Sequence, residues 1–197
     1  MAASLALVGC SSSNRTKTES TATAERAPDK FTVNLDTSKG PVSIEIYREW
    51  APIGVDRFYQ LVKAGFYDGD RFFRIVPNFI VQFGIAADPQ VTTRWKTPMA
   101  DDPVRQHNVR GTLTYAKTSM PNSRTAQMFI NLVDNTQSLD SQGFAPIGLV
   151  TVGMDAIDHL YAGYGEAPDQ GSIEQQGNAY LQNQFPNLDF IKKASIQ

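Results

Sequence analysis

Apolar and polar residues alternate along most of the chain from Lys30 onward. In "FTVNLDTSKGPVSIEIY" two period-two runs, Phe31/Val33/Leu35 and Val42/Ile44/Ile46, flank "TSKG", a pattern that predicts a β-hairpin. The period changes in "APIGVDRFYQLVKAGFYDG". There Val55, Phe58, Leu61 and Val62 form one helical stripe, Pro52 suits a first turn and Gly65 a C-terminal stop. "RFFRIVPNFIVQFG" reads as a further strand, and a polar loop with several prolines follows it. "GTLTYAKT", "AQMFINLV" and "FAPIGLVTVG" read as strands, "MDAIDHLYAGY" as a second short helix and "DFIKKASIQ" as a closing strand. The connections are mostly too short for parallel crossovers, and no internal repeat is present. The pattern predicts a mainly β fold: an antiparallel sheet closed into a barrel, since closure removes exposed edges, with two α-helices.

Within "RIVPNFIVQFG", Arg74 and Gln82 are polar positions in an otherwise apolar run. They lie eight residues apart, so a regular strand turns both to the side that Ile80 also faces. A kink at Pro77-Asn78 would bring Phe79 to that face as well. One strand would then deliver a donor, an amide and two apolar walls to one concave surface. The spacing fits another arrangement equally: Arg74 paired with an acid on the outside, and Gln82 a solvated strand residue.

The N-terminus differs in kind. "MAASLALVGC" is small and apolar, and "LVGC" is similar to the lipobox that ends a bacterial lipoprotein signal, with Cys10 as the lipidated residue. The run is short and lacks a basic leading region, as a start assigned too late would leave it. Residues 11–29, rich in Ser, Thr and Ala, bury too little apolar surface to offset their ordering entropy and are expected to form a flexible tether. The expected layout is a signal remnant over 1–10, the tether over 11–29 and one folded domain over 30–197. Location follows from Cys10: the cell envelope if it is lipidated, the cytoplasm if the lipobox is spurious.

Composition narrows the chemistry. The chain has 197 residues and a formal net charge of -2, with no clustered Lys and Arg of the kind that phosphate backbones require, so nucleic acid is not an expected partner. No apolar run reaches the roughly 20 residues of a membrane span, which leaves a lipid anchor as the expected membrane contact. One cysteine and two histidines, His107 and His159, leave no expected zinc site. Phosphate-binding glycine loops and a nucleophile elbow are absent. Both histidines read as structural or surface residues.

Three stretches in order, "FYDGDRFFRIVPNFIVQFG", "GTLTYAKTSMPNSRTAQMFINL" and "LDSQGFAPIGLVTVGMDAIDHL", resemble the cyclophilin-type peptidyl-prolyl isomerases. The resemblance runs from about Phe31 to the C-terminus and implies an eight-stranded barrel. By this match Arg74 is the catalytic arginine, with Gln82 acting beside it and Phe79 and Ile80 lining the pocket. Ala116, Lys117, Thr118 and Gln127 match contacts to the peptide, and Phe129, Leu139 and Phe144 match the walls of the proline pocket. The chain departs from the best-known members in several places. Ser138 stands where they have tryptophan, Phe144 where they have histidine, Lys117 where they have asparagine, Met128 where they have phenylalanine and Ile80 where they have methionine. The C-terminal "GYGEAPDQGSIEQQGNAYLQNQFPNLDFIKKASI" exceeds what compact members need and resembles a version found in bacterial cyclophilins. Tyr180, Leu181, Phe185 and Leu188 are its candidate anchors.

The implied reaction asks little of the residues. An X-Pro bond crosses between cis and trans over a barrier of roughly 20 kcal/mol, set by amide resonance. Twisting the bond localises a lone pair on the prolyl nitrogen, so the step calls for neither metal nor cofactor. It is helped by a donor stronger toward the twisted state than toward the planar one, and arginine, always charged and rigidly forked, suits that part. The implied partners are proline-containing peptides and unfolded client proteins, met by a monomer. Two other readings remain: a cyclophilin-fold module that holds proline segments with little turnover, and an unrelated β-barrel ligand binder.

Overall fold

The computed structural model describes Met1 and residues 25–197; Cys10 and most of the expected tether lie outside the described residues. The expected hairpin is present. β1 (Lys30–Thr37) and β2 (Gly40–Tyr47) pair antiparallel, and Val33, Leu35, Val42, Ile44 and Ile46 point into the core. α1 (Pro52–Lys63) buries Val55, Phe58, Leu61 and Val62, the stripe that its period foretells. Its Ala51 cap has no side-chain acceptor, so the N–H groups of Ile53 and Gly54 donate instead to the Asp102 carboxylate, at 3.0 and 2.8 Å. Chain docking starts before Lys30. Ala27 is buried, its N–H donates to Asp56 Oδ1 at 2.9 Å, and Glu25 pairs with Lys63.

The remaining strands are β3 (Arg74–Val76), β4 (Ile80–Phe83), β5 (Thr112–Tyr115), β6 (Met128–Asn131), β7 (Pro146–Val152) and β8 (Ile191–Ile196). All eight form one antiparallel sheet in the order β3-β4-β6-β5-β7-β2-β1-β8. The expected closed barrel is corrected to an open half-barrel. Its end strands, β3 and β8, share no ladder. The chain just before β3 makes one bridge, Arg71 to Phe190, with Phe72 N–H donating to Asp189 O at 3.1 Å and Ile191 N–H to Asp70 O at 2.8 Å. Beyond that bridge β3 is only three residues long, and its Ile75 N–H donates to Gly165 O at 3.1 Å. The C-terminal excursion takes the edge that closure would have used.

The two expected helices are corrected to six among the described residues. Besides α1 there are α2 (Pro89–Arg94), α3 (Thr136–Leu139), α4 (Met154–Asp158), α5 (Gln170–Gln176) and α6 (Asn178–Gln184). α4 is the expected second helix, shorter than its sequence pattern. The others span four to seven residues, too few to show a helical period. Two carry a start signal nonetheless: Asp88 accepts from Gln90 N–H ahead of Pro89, and Asp169 accepts from Ser172 N–H, each at 2.8 Å. α5 and α6 belong to the excursion. Ile173, Leu181 and Leu188 bury against Phe73 and Ile85, with Tyr164, Tyr180 and Phe185 packed around them.

Candidate active site

The segment expected to be one kinked strand is a hairpin. Val76 pairs with Ile80, Ile75 with Val81 and Arg74 with Gln82. Pro77-Asn78 makes a turn instead of a kink, and Asn78 takes a left-handed φ of 60°, which asparagine tolerates better than most residues. Arg74 and Gln82 therefore share a face as cross-strand partners, not as even-numbered neighbours on one strand. β4 alternates as a strand must: Val81 and Phe83 enter the main core, while Ile80 and Gln82 face the other side.

β6 lies next in the sheet and sets Phe129 opposite Gln82. Thr125, Gln127 and Phe129 follow one another at the same period along its approach. Arg74 Nη1 donates to Gln82 Oε1 at 3.1 Å, and Gln82 Nε2 donates to Gln127 Oε1 at 2.7 Å. The guanidinium is thus tied to two amides in a row. Close approach of β4 to the Gln127 backbone depends on Gly84. Its φ is +105°, its N–H donates to Asp70 Oδ2 at 2.7 Å, and a Cβ there would sit 2.6 Å from both Ala126 O and Gln127 Cα.

Beside the arginine is an apolar recess. Ile80, Phe129 and Leu139 are buried together, and Phe79, Ala116 and Phe144 pack around them. Phe129 and Phe144 meet edge to face at 5.8 Å. A polar network behind the recess fixes its wall. Asn108 Nδ2 donates to Phe144 O and to Asp140 Oδ1, each at 2.8 Å, and Asn135 Nδ2 donates to Phe79 O at 3.0 Å. Burial pushes the Asp140 carboxyl up, but the Asn108 and His107 side chains outweigh it and hold the group below the usual carboxylate range. His107 is accordingly a surface brace, its Nδ1 2.7 Å from Asp140 Oδ2. His159 is exposed at the end of α4.

These groups line a cavity of about 610 Å³. It contains Arg74, Gln82, Phe79, Ile80, Ala116, Lys117, Thr118, Gln127, Phe129, Leu139 and Phe144, all the candidate site residues that lie among the described ones. It also contains five that the sequence did not suggest: Lys96, Ser123, Thr125, Gln170 and Glu174. Thr125 could have been found from its alternation with Gln127 and Phe129. Lys96 follows α2 and Glu174 sits on α5; they meet at 2.9 Å, a pairing with no local signature. Lys117 Nζ lies 5.2 Å from the centroid of the Phe144 ring, so two of the departures noted above touch each other across the rim. The arrangement offers a fixed cationic donor at the lip of an apolar socket.

A family model described as cyclophilin type peptidyl-prolyl cis-trans isomerase/CLD matches residues 32–177. A peptidyl-prolyl cis-trans isomerase of Acinetobacter baylyi is 37% identical over 137 residues, covering 65% of this chain and 70% of the relative. A probable peptidyl-prolyl cis-trans isomerase of Brucella abortus is 33% identical over 186 residues, covering 89% of this chain and 87% of the relative. Among solved structures, a Cryptosporidium parvum cyclophilin type isomerase superposes with a TM-score of 0.62 at 21% identity, over 85% of this chain and 98% of its own, a likeness of fold. The same Cryptosporidium protein has been crystallised in the presence of the dipeptide Ala-Pro.

Proposed function

The chain belongs to the cyclophilin-type peptidyl-prolyl cis-trans isomerase family, and from that premise we propose that Arg74 drives rotation about X-Pro bonds held in this cavity. Its activity is peptidyl-prolyl cis-trans isomerisation. The proline ring enters the socket of Ile80, Phe129, Leu139 and Phe144, as suits a protein whose fold-relative was crystallised with Ala-Pro. Phe79 and the rim of Ala116, Lys117 and Thr118 receive the flanking peptide. As the bond twists, the prolyl nitrogen becomes pyramidal and gains a lone pair, and an Arg74 N–H donates to it. Gln82, itself held by Gln127, anchors one edge of the guanidinium, so that edge is in place before the bond rotates. The substrates are proline-containing segments of unfolded chains.

The observation that carries this reading is the ordered run Arg74–Gln82–Gln127 at the lip of the apolar socket. Arg74→Ala tests it. The side chain is about one quarter exposed and contributes little to the core, so circular dichroism should show an intact fold. In a peptide isomerisation assay kcat/KM should fall by one to three decades, on the order of 1.4 to 4 kcal/mol. Full activity in the folded variant would remove Arg74 from the reaction.

Lipidation of Cys10 would put the enzyme in the cell envelope. "LVGC" followed by a Ser/Thr-rich stretch supports this. Acylated in that way, the domain would be held stably on a bilayer, since two or three acyl chains suffice where one does not. With a complete signal, the wild type should then enter the detergent phase on partitioning and Cys10→Ser should not. Both remaining in the aqueous phase would refute the lipobox reading.

A further inference from the structure

The excursion between α4 and β8 begins with a tight turn. Gly165 N–H donates to Ala162 O at 3.0 Å and Ala167 N–H to Tyr164 O at 2.9 Å. The turn is held down by its aromatics: Tyr164 packs on Tyr161 at 5.0 Å and on Phe185 at 5.1 Å. The turn is also stapled to the sheet, because Gly165 O accepts the N–H of Ile75, the residue after Arg74. The next side chain, Glu166, then meets the guanidinium itself. Glu166 Oε1 is 2.7 Å from Arg74 Nε and 2.5 Å from Nη2.

We propose that Glu166 is a positioning residue for the isomerase reaction, holding the Arg74 guanidinium in the plane from which it reaches the prolyl nitrogen. This rests on the role given to Arg74 above. A guanidinium carries five N–H donors in one plane. Gln82 grips it at Nη1, and Glu166 grips it at Nε and Nη2. Contact on two edges fixes the plane, where Gln82 alone would leave the long side chain free to pivot. N–H groups on Nη1 and Nη2 remain for the substrate. Glu166 is 61% exposed, so the pair lies in a high-dielectric setting where its Coulomb energy is small and the free Nη N–H groups still carry a cation's donors to the substrate. The excursion thereby becomes part of the catalytic apparatus, reaching the arginine through one backbone and one side-chain contact on adjacent residues.

Exposed charge pairs contribute modestly, so removing Glu166 should slow the reaction by roughly two- to fivefold. The loss should appear in kcat with KM unchanged, because the apolar socket binds the proline and Glu166 does not. The test compares wild type, Glu166→Ala, Glu166→Gln, Arg74→Ala and the Arg74→Ala/Glu166→Ala double variant on one proline peptide. Glu166→Gln keeps an oxygen that can accept the Nε–H and should recover most of the rate. The Nε–H resonance of Arg74 should broaden or shift in Glu166→Ala and stay near its wild-type position in Glu166→Gln. In the Arg74→Ala background, losing Glu166 should change nothing further. An Arg74→Ala variant that is slow beside a Glu166→Ala variant at the wild-type rate or faster would overturn this proposal alone. So would an equal loss from Glu166→Ala with Arg74 already gone. Full activity in Arg74→Ala would overturn it together with the reading on which it rests.

Discussion

Phe129→Ala separates the socket from the core. The ring is 2% exposed, sits on β6 between Gln82 and Thr114, and meets Phe144 edge to face. Truncating a buried phenylalanine costs about 3 to 5 kcal/mol, and the lower end applies here because the cavity already opens to water, which can fill the gap. A loss of about 3 kcal/mol leaves a domain of ordinary stability folded and lowers Tm by roughly 6 to 12 °C at this size. Peptide affinity should fall too. A proline ring contributes three methylenes, each worth about 0.8 kcal/mol when fully buried, and only one face rests on Phe129. About half of that sum, near 1.2 kcal/mol, is roughly a tenfold loss in affinity. Thermal melts and isothermal titration with a proline peptide read the two effects. Phe83→Leu is the control: Phe83 is fully buried on the opposite face of the hairpin against Tyr67 and Phe72. It should lose stability and keep affinity. Unchanged affinity in folded Phe129→Ala, or an equal loss of affinity in Phe83→Leu, would refute the assignment of the socket.

Gly84→Ala should damage stability and catalysis together, because the new Cβ collides with the Ala126–Gln127 backbone and displaces the amide that anchors Gln82; a melt and a rate at wild-type values would contradict that. Burial raises the Asp70 carboxyl well above its ordinary range. Above about pH 4 the unfolded chain ionises this group more readily than the folded chain does, so its contribution to stability falls as pH rises. Asp70→Asn removes that dependence. Its urea midpoint relative to wild type should climb between pH 4 and pH 7, and a flat difference would count against the shift. Cyclosporin, the usual inhibitor of the family, should inhibit weakly while turnover stays near normal. Ser138 supplies neither the indole donor nor the wall that tryptophan gives other members, a loss of about 1 to 3 kcal/mol or roughly ten- to a hundredfold. Inhibition as strong as that of a tryptophan-bearing member assayed alongside would refute it.

The sequence disclosed what has a period or a fixed local chemistry. Phe31 to Ile46 alternates, so β1 and β2 and their inward faces could be read directly; the stripe from Val55 to Val62 did the same for α1. "RIVPNFIVQFG" was harder. Its apolar run passes through Pro77-Asn78, and a turn and a kink look alike when the flanking residues continue the same alternation. Arg74 and Gln82 share a face under both readings, so the site survived an error in the strand. Closure of the barrel was out of reach, because it depends on whether β3 pairs with β8 or gives its Ile75 N–H to Gly165, ninety positions away. Separations of 92 and 78 positions likewise hide the Arg74–Glu166 and Lys96–Glu174 pairs. A carboxylate in a polar excursion has no pattern that names its partner; the packing of Tyr164 on Tyr161 and Phe185 and the Gly165–Ile75 hydrogen bond determine where it arrives. The short helices fall between these cases: Asp88-Pro89 and Asp169 signalled starts, but no apolar stripe followed to give them length.

The pairing of β1 with β8 has a consequence for how the domain is made. Val33 finds its partner in Ile196, so among the described residues the first of the eight strands waits for the last of them. At ordinary translation rates roughly 10 to 30 s separate the appearance of the two strands. Throughout that interval β1 has β2 on one side and unpaired N–H and C=O groups on the other, an edge that any extended segment can join. The finished fold covers that edge from Val33 to Thr37. The nascent chain carries it until the C-terminal strand emerges, and in that window holding factors would matter most to the yield of active enzyme.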